Sequence, residues 1–395
     1  MAAPRPARRR QVSARSHRMT GSDRQKLHLS YLDGLRAGAA LYVVLFHAVI
    51  GFGRDLSGPL RVLKLLFGYG HEAVAIFIVL SGYCLMLPVA RSPDGQLKGG
   101  FWNYLGRRAF RILPPYFAAL GLSLLLIRYV PVLGRAGSHT IWDESLPALG
   151  LGPIASHVLL VHNWFPEWAY RINGPFWSVA TEWQIYFFFP LLLLPLWRRA
   201  GICLALGSAL LLGYAPLLFA RAPARHAVPW YLFLFGIGML AAAVGFSGGR
   251  AERWLRAWVS WSKLSLTLGV LCALGGTVGA RIWFRFLPLT DLLVGSAAGA
   301  LLVHCTNQVK AGSERGLLLG ALESRLLVGI GRFSYSLYLT HLPIVALCFF
   351  VLRRLGVGSP LRLAGYMIAT ALPASLLVAY AFYWAVERHF VRARS

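Results

Sequence analysis

Apolar runs of about 20 residues recur along almost the whole chain, and they restrict what it folds into more than any other feature. A run of ~20 apolar residues, rising about 1.5 Å per residue as an α-helix, spans the ~30 Å hydrocarbon core of a bilayer. In lipid every backbone N–H and C=O must be bonded internally, which leaves only helices or closed barrels. Barrel strands need only about 10 residues, so runs of this length predict helices. Spans are expected near residues 34–52, 71–90, 110–130, 176–197, 202–220, 228–246, 264–282, 287–305, 327–351 and 364–385. The fold class is therefore all-α, a polytopic membrane bundle of about ten transmembrane helices. A charged fraction of 14% agrees, since soluble domains carry about 25%. No second soluble domain and no internal repeat is visible. The expected organisation is a basic, disordered tail over 1–27 and one membrane-embedded unit over 28–395.

The formal net charge of +26 raises nucleic acid as a partner, but its distribution argues against it. With the N-terminus in the cytoplasm, roughly 26 Lys and Arg fall in the two tails and the inside loops, against roughly 13 outside. Clusters such as Arg91/Lys98/Arg107/Arg108/Arg111, Arg250/Arg253/Arg256/Lys263 and Arg388/Arg392/Arg394 then sit inside. The expectation is a multi-pass protein of the cell membrane with both termini cytoplasmic, no nucleic-acid partner, and a tail that touches anionic headgroups. The tail is a poor signal peptide, because the first apolar run begins too late. The five cysteines lie in apolar spans without metal-ligand spacing, so they are read as small core residues and no metal is expected.

Two ionisable groups interrupt the first span. An ionisable group inside a membrane helix points to function. Arg36 and His47 are eleven residues apart, about 20° over three full turns, so they share a face roughly 16 Å apart along the axis. Asp33, three residues before Arg36, is its natural ion-pair partner.

The remaining signals lie near span ends. Ser81-Gly82 is a small pair suited to close helix packing, with a catalytic serine as the alternative. His71 and Glu72 read as interfacial groups in water. Arg107, Arg108 and Arg111 precede Pro114-Pro115 and suit either a cytoplasmic anchor or a phosphate clamp, because guanidinium presents paired donors. The outside segment near 131–175 carries Trp142, Trp164 and Trp168, suited to stacking on sugar faces or to an aromatic belt. It ends in Gly174-Pro175-Phe176-Trp177-Ser178, and Glu182 follows one turn later, with His47 as its preferred partner and an interhelical hydrogen bond as the alternative. Ser334, Tyr338 and His341 form one polar stripe on the ninth span, expected to face a cavity or another polar helix.

Together these segments resemble the acyltransferase family 3, multi-pass membrane enzymes that O-acylate sugars, envelope glycans and macrolides. The resemblance rests on Leu32-Asp33-Gly34-Leu35-Arg36-Ala37 with His47, Ile76 to Gly82, Arg107-Arg108 to Pro115, Gly174 to Ser178 with Glu182, Phe333 to His341, and Val386-Glu387-Arg388. The chain departs at Ala75, where many members carry an acid. That role is then absent or supplied by Glu72. The resemblance implies an acyl-CoA co-substrate, acetyl-CoA being the simplest, and no tightly bound cofactor. It implies that Arg107, Arg108 and Arg111 hold the phosphates and that Trp177, Ser178, Tyr338 and His341 contact substrate. His47 would be the base on an acceptor hydroxyl, oriented by Glu182, with Arg36 and Asp33 beside the donor, and transfer would be either direct or through an acyl-His47. The competing reading is a transporter or permease without acyl chemistry, which also keeps ionisable groups in spans.

Overall fold

The computed structural model of the chain describes residues 28–52, 58, 61–219, 225–277, 285–312 and 316–391. The basic tail expected over 1–27 lies outside the described residues. Among those described there is no strand, and nine helices are long and apolar enough to cross a membrane. We label ten helices: α1 (Tyr31–Phe46), α2 (Gly70–Arg91), α3 (Gly100–Tyr129), α4 (Phe176–Phe188), α5 (Ile202–Tyr214), α6 (Tyr231–Phe246), α7 (Trp261–Thr277), α8 (Leu287–Ala311), α9 (Ser334–Arg354) and α10 (Pro360–Phe382). The face that carries residues 28 and 391 is called inner below.

Nine of the ten expected spans each match one long apolar helix, and the seventh matches a bent pair. There Arg250–Trp258 meets α7 at 76° across a short break. The first piece is amphipathic, with Trp254 and Trp258 exposed, so it can lie along an interface while the apolar α7 turns into the bundle. The ninth span begins later than expected. Arg325–Gly331 is a separate helix, capped by the Ser324 side chain accepting from the Leu327 N–H, and α9 starts at Ser334. Gly331 lies so close to the Asp33 backbone that a Cβ there would collide with it. This packing fixes the start of α1 and therefore the Asp33–Arg36 turn.

The third span begins ten residues before the expected position. Arg107, Arg108 and Arg111 thus lie on α3 rather than ahead of it, and Pro114 and Pro115 fall inside the helix. Each proline removes a ladder bond. The helix nevertheless continues through both, and in the same turn the Tyr335 hydroxyl donates to the Ile112 carbonyl at 3.1 Å.

The centre of the bundle is the α2–α6 contact. A Cβ at Gly82 would strike the Phe235 backbone, and one at Gly238 would strike the Val79 backbone, so two glycines let the helices touch directly. The small pair read from sequence does pack, yet Ser81 also faces the candidate site. Cys305 is buried as expected of a core cysteine, whereas Cys203 is exposed on α5 and Cys84 has a polar partner. Just after α1 the backbone widens into a π-helical turn over His47–Gly51, a local irregularity that often marks functional positions.

Candidate active site

Two polar spaces lie in series along the bundle axis. The inner one is a cavity of about 230 Å³ between α1, α2, α3, α4 and α9. Arg36 enters it from α1, Arg108 and Arg111 from α3, and Glu182 from α4. Three guanidiniums thus face one carboxylate. Arg36 Nη1 bonds Asp33 Oδ1 at 2.8 Å, the local pair the spacing predicts. Its Nη2 lies 3.0 Å from Cys84 Sγ. Glu182 Oε1 accepts from the Ser81 hydroxyl and from Tyr186 Oη at 2.6 Å. Arg108 Nε is buried without a partner among the described residues, as expected of a donor awaiting an anion.

Towards the inner face this cavity shares Cys84, Leu85 and Arg108 with an open groove of about 1250 Å³. Arg91, Lys98 and Arg107 line the groove, and Arg107 Nη2 donates to the Lys98 carbonyl at 3.3 Å. Arg107 and Arg108 therefore face the groove together, whereas Arg111 belongs to the deeper cavity.

Towards the outer face a second pocket of about 220 Å³ contains His47, His71, Glu144, Tyr170 and Trp177. Val74 and Tyr338 line both spaces and form the wall between them. Tyr338 is held there: its hydroxyl is 2.6 Å from Ser178 Oγ and donates to the Pro175 carbonyl at 3.1 Å. The stripe on α9 therefore faces cavities as expected, with Ser334 in the inner space, Tyr338 at the wall and His341 beside His47. Glu144 lies in the outer segment, where burial pushes its carboxyl up against the opposing pull of Arg171 and His226.

His47 does not pair with Glu182, which corrects the expectation from sequence. Glu182 sits with the arginines, bonded to Ser81 and Tyr186, while His47 Nδ1 lies 3.0 Å from His341 Nε2. The reason is axial position. Glu182 lies low enough on α4 to meet α2 in the inner cavity, and His47 lies high on α1. The bonding pattern also sets the tautomers. His341 Nδ1 is 2.8 Å from the Tyr338 carbonyl oxygen and 3.1 Å from that of Leu337, and carbonyls only accept. Nδ1 therefore carries the proton and Nε2 is the lone pair. His47 Nδ1 must then donate to it, as it does to the Val43 carbonyl at 2.9 Å. His47 Nε2 remains as a bare lone pair with no partner among the described residues.

Several other readings change. His71 is not an interfacial group in water: its ring stacks on Trp177 at 5.3 Å, and Nε2 lies 2.9 Å from Asp291 Oδ2 and 3.0 Å from Tyr231 Oη. Asp291 is a carboxylate within an apolar run, so its own sequence position carried the signal that a partner had to exist. Trp142 is fully buried and donates to the Leu133 carbonyl at 2.9 Å, so it is part of the loop core and not a sugar platform. Glu72 does not replace the acid missing at Ala75, because it lines a separate lateral pocket with Tyr69 and Cys272.

A family model described as "Acyltransferase domain" matches residues 29–384. The chain belongs to this acyltransferase family. It is 27% identical over 336 residues to acyltransferase MdmB of Streptomyces mycarofaciens, covering 81% of this chain and 79% of that one. It is 25% identical over 350 residues to the putative peptidoglycan O-acetyltransferase YrhL of Bacillus subtilis, covering 80% of this chain. The match there spans about half of the relative, 48% of its length. Protein 2 in the picA locus of Rhizobium radiobacter is 28% identical over 157 residues, covering 39% of this chain and 74% of that one. No solved structure matches. The protein is thus a multi-pass membrane acyltransferase, and the permease reading falls.

Proposed function

We propose that this acyltransferase moves an acyl group from acyl-CoA, with acetyl-CoA the simplest donor, to a hydroxyl of a carbohydrate or glycosylated metabolite. The observation that carries the reading is the series arrangement of a cationic groove, an arginine-lined cavity and a histidine pocket. Arg107 and Arg108 suit the phosphates of coenzyme A, because guanidinium forks match phosphate oxygens. The pantetheine arm then runs past Cys84 and Leu85, which belong to both groove and cavity. Arg36, braced by Asp33, and Arg111 hold a negatively charged part of the donor within the inner cavity. In direct transfer His47 Nε2 takes the acceptor's proton as that oxygen bonds the carbonyl carbon. The C–S bond breaks, and the thiolate regains the proton from the imidazolium. In place of the carboxylate expected from Glu182, His341 holds the tautomer.

The acceptor side is the outer pocket, where Trp177 and Tyr170 offer aromatic faces and Glu144 an acceptor for hydroxyls. On this reading the acceptor is an envelope glycan or glycolipid rather than a cytoplasmic macrolide, and the protein acts in the cell membrane with its groove on the cytoplasmic side. The test is mass spectrometry of glycans, glycolipids and small metabolites from a strain lacking the gene. Loss of one acyl mass from a hydroxylated product supports the reading. An unchanged acylation profile together with no coenzyme A release by purified protein refutes it.

A further inference from the structure

The outer pocket holds a second histidine with a better proton-holding arrangement than His47. His47 has only neutral His341 and a backbone carbonyl behind it. His71 has a carboxylate: Asp291, fully buried on α8, accepts from Trp230 Nε1 at 2.8 Å and lies 2.9 Å from His71 Nε2. A carboxylate oxygen accepts, so Nε2 carries the proton and Nδ1 is the lone pair. Nδ1 has no partner among the described residues, and His71 lines the pocket that holds His47. Trp177 stacked on the ring and Tyr231 beside Nε2 fix its plane. Phe46, next to His47, packs against Gly70, next to His71, so the two histidines flank one space.

We infer that transfer runs in two steps, with His47 as the acyl carrier and the His71–Asp291 pair as the base that activates the acceptor. The inference rests on the acyl-CoA reading above and replaces its direct transfer. In the first step His47 Nε2 bonds the thioester carbonyl carbon, the C–S bond breaks, and coenzyme A leaves as the thiolate. The Nδ1 proton of His47 passes to His341 Nε2. In the second step the carrier nitrogen is occupied, so His47 cannot also be the base. The acceptor oxygen bonds the carbonyl carbon and gives its proton to His71 Nδ1, and Asp291 balances the imidazolium. The C–N bond breaks, and His47 recovers its proton from His341. The proton on His71 returns to solvent, where it balances the released thiolate.

The experiment uses full-length protein in detergent, radiolabelled acetyl-CoA, and extract of the deletion strain as the source of acceptor. His71→Gln is expected to lose about 100-fold or more in transfer, the scale of general-base catalysis, with KM for acetyl-CoA unchanged. Label should accumulate on the protein, be released by hydroxylamine, and be absent from the His47→Gln/His71→Gln double variant. Imidazole should restore transfer to His71→Ala. Asp291→Asn should lose transfer in the same direction. Unchanged transfer by His71→Gln overturns the inference. So does lost transfer without labelled protein, because a packing lesion gives that result. A wild-type protein that releases no coenzyme A overturns the acyl-CoA reading itself.

Discussion

The inner cavity and the outer pocket are of nearly equal size, about 230 and 220 Å³, yet they are built from different chemistry. The inner one is set by permanent charge: Arg36, Arg108 and Arg111 around Glu182. The outer one is set by groups that gain and lose protons: His47, His71 and Glu144. Fixed cations hold an anionic donor without changing state, whereas imidazoles exchange protons near neutral pH. The wall between the two, Tyr338 bonded to Ser178, keeps those functions apart. On the proposed reading binding and proton transfer are separated along the axis, so the first two variants below should each disturb only one of them.

The largest effect belongs to the outer pocket. His47→Ala should lower transfer by about a thousandfold or more while the purified protein still binds coenzyme A, since it removes the reacting nitrogen and no donor contact. Equilibrium binding beside turnover checks this, and loss of coenzyme A binding would merge the two regions into one. Next comes the inner cavity. Arg108→Gln should raise KM for acetyl-CoA by about 10- to 100-fold, the worth of a charged hydrogen bond, with little change in kcat. A fall in kcat at unchanged KM would place Arg108 in the chemistry instead. The wall should matter less. Tyr338→Phe removes the bonds to Ser178 and Pro175 and keeps the ring, so a few-fold loss of coupling is expected, read as more coenzyme A release per acyl group transferred.

The smallest effect on transfer should come from the outer loop. His157 and His162 are buried there with their rings stacked at 3.8 Å. Burial lowers His157 to about 4, and burial together with His157 holds His162 well below the ordinary range. Both are neutral in the fold and take up protons on unfolding. Their stabilisation is therefore full above about 6.5 and is lost as pH falls towards 4. Limited proteolysis of residues 131–175 should be faster at pH 5 than at pH 7.5. His157→Gln/His162→Gln should flatten that dependence. An equally strong pH dependence in the double variant would show that other groups control the loop.

Legibility from sequence follows the range of each interaction. The helices were readable because apolar length suffices, and the Asp33–Arg36 pair because it lies within one turn. The ionisable residues of the candidate site were readable where they interrupted an apolar run and the reading asked for a partner, as for Arg36, His47 and Glu182. His71 and Asp291 were missed because one sits at a span end, where water is the default partner, and the other was never asked for its own. The break at Gly331–Ser334 was invisible because its cause is the α1 backbone packed against it.

What the sequence by itself determined was the material class, the helix count to within one bent pair, the faces that carry polar groups, and the family. What only the tertiary structure decided was who meets whom. Helical periodicity places a side chain on a face but says nothing about the depth or identity of the neighbouring helix. His47 therefore found His341, 294 residues away, and Glu182 found Ser81, 101 residues away, where sequence had joined the two acidic and basic groups to each other. Those depths were set by packing, by glycine contacts such as Gly82 and Gly238 and by the tight approach of Gly331 to Asp33.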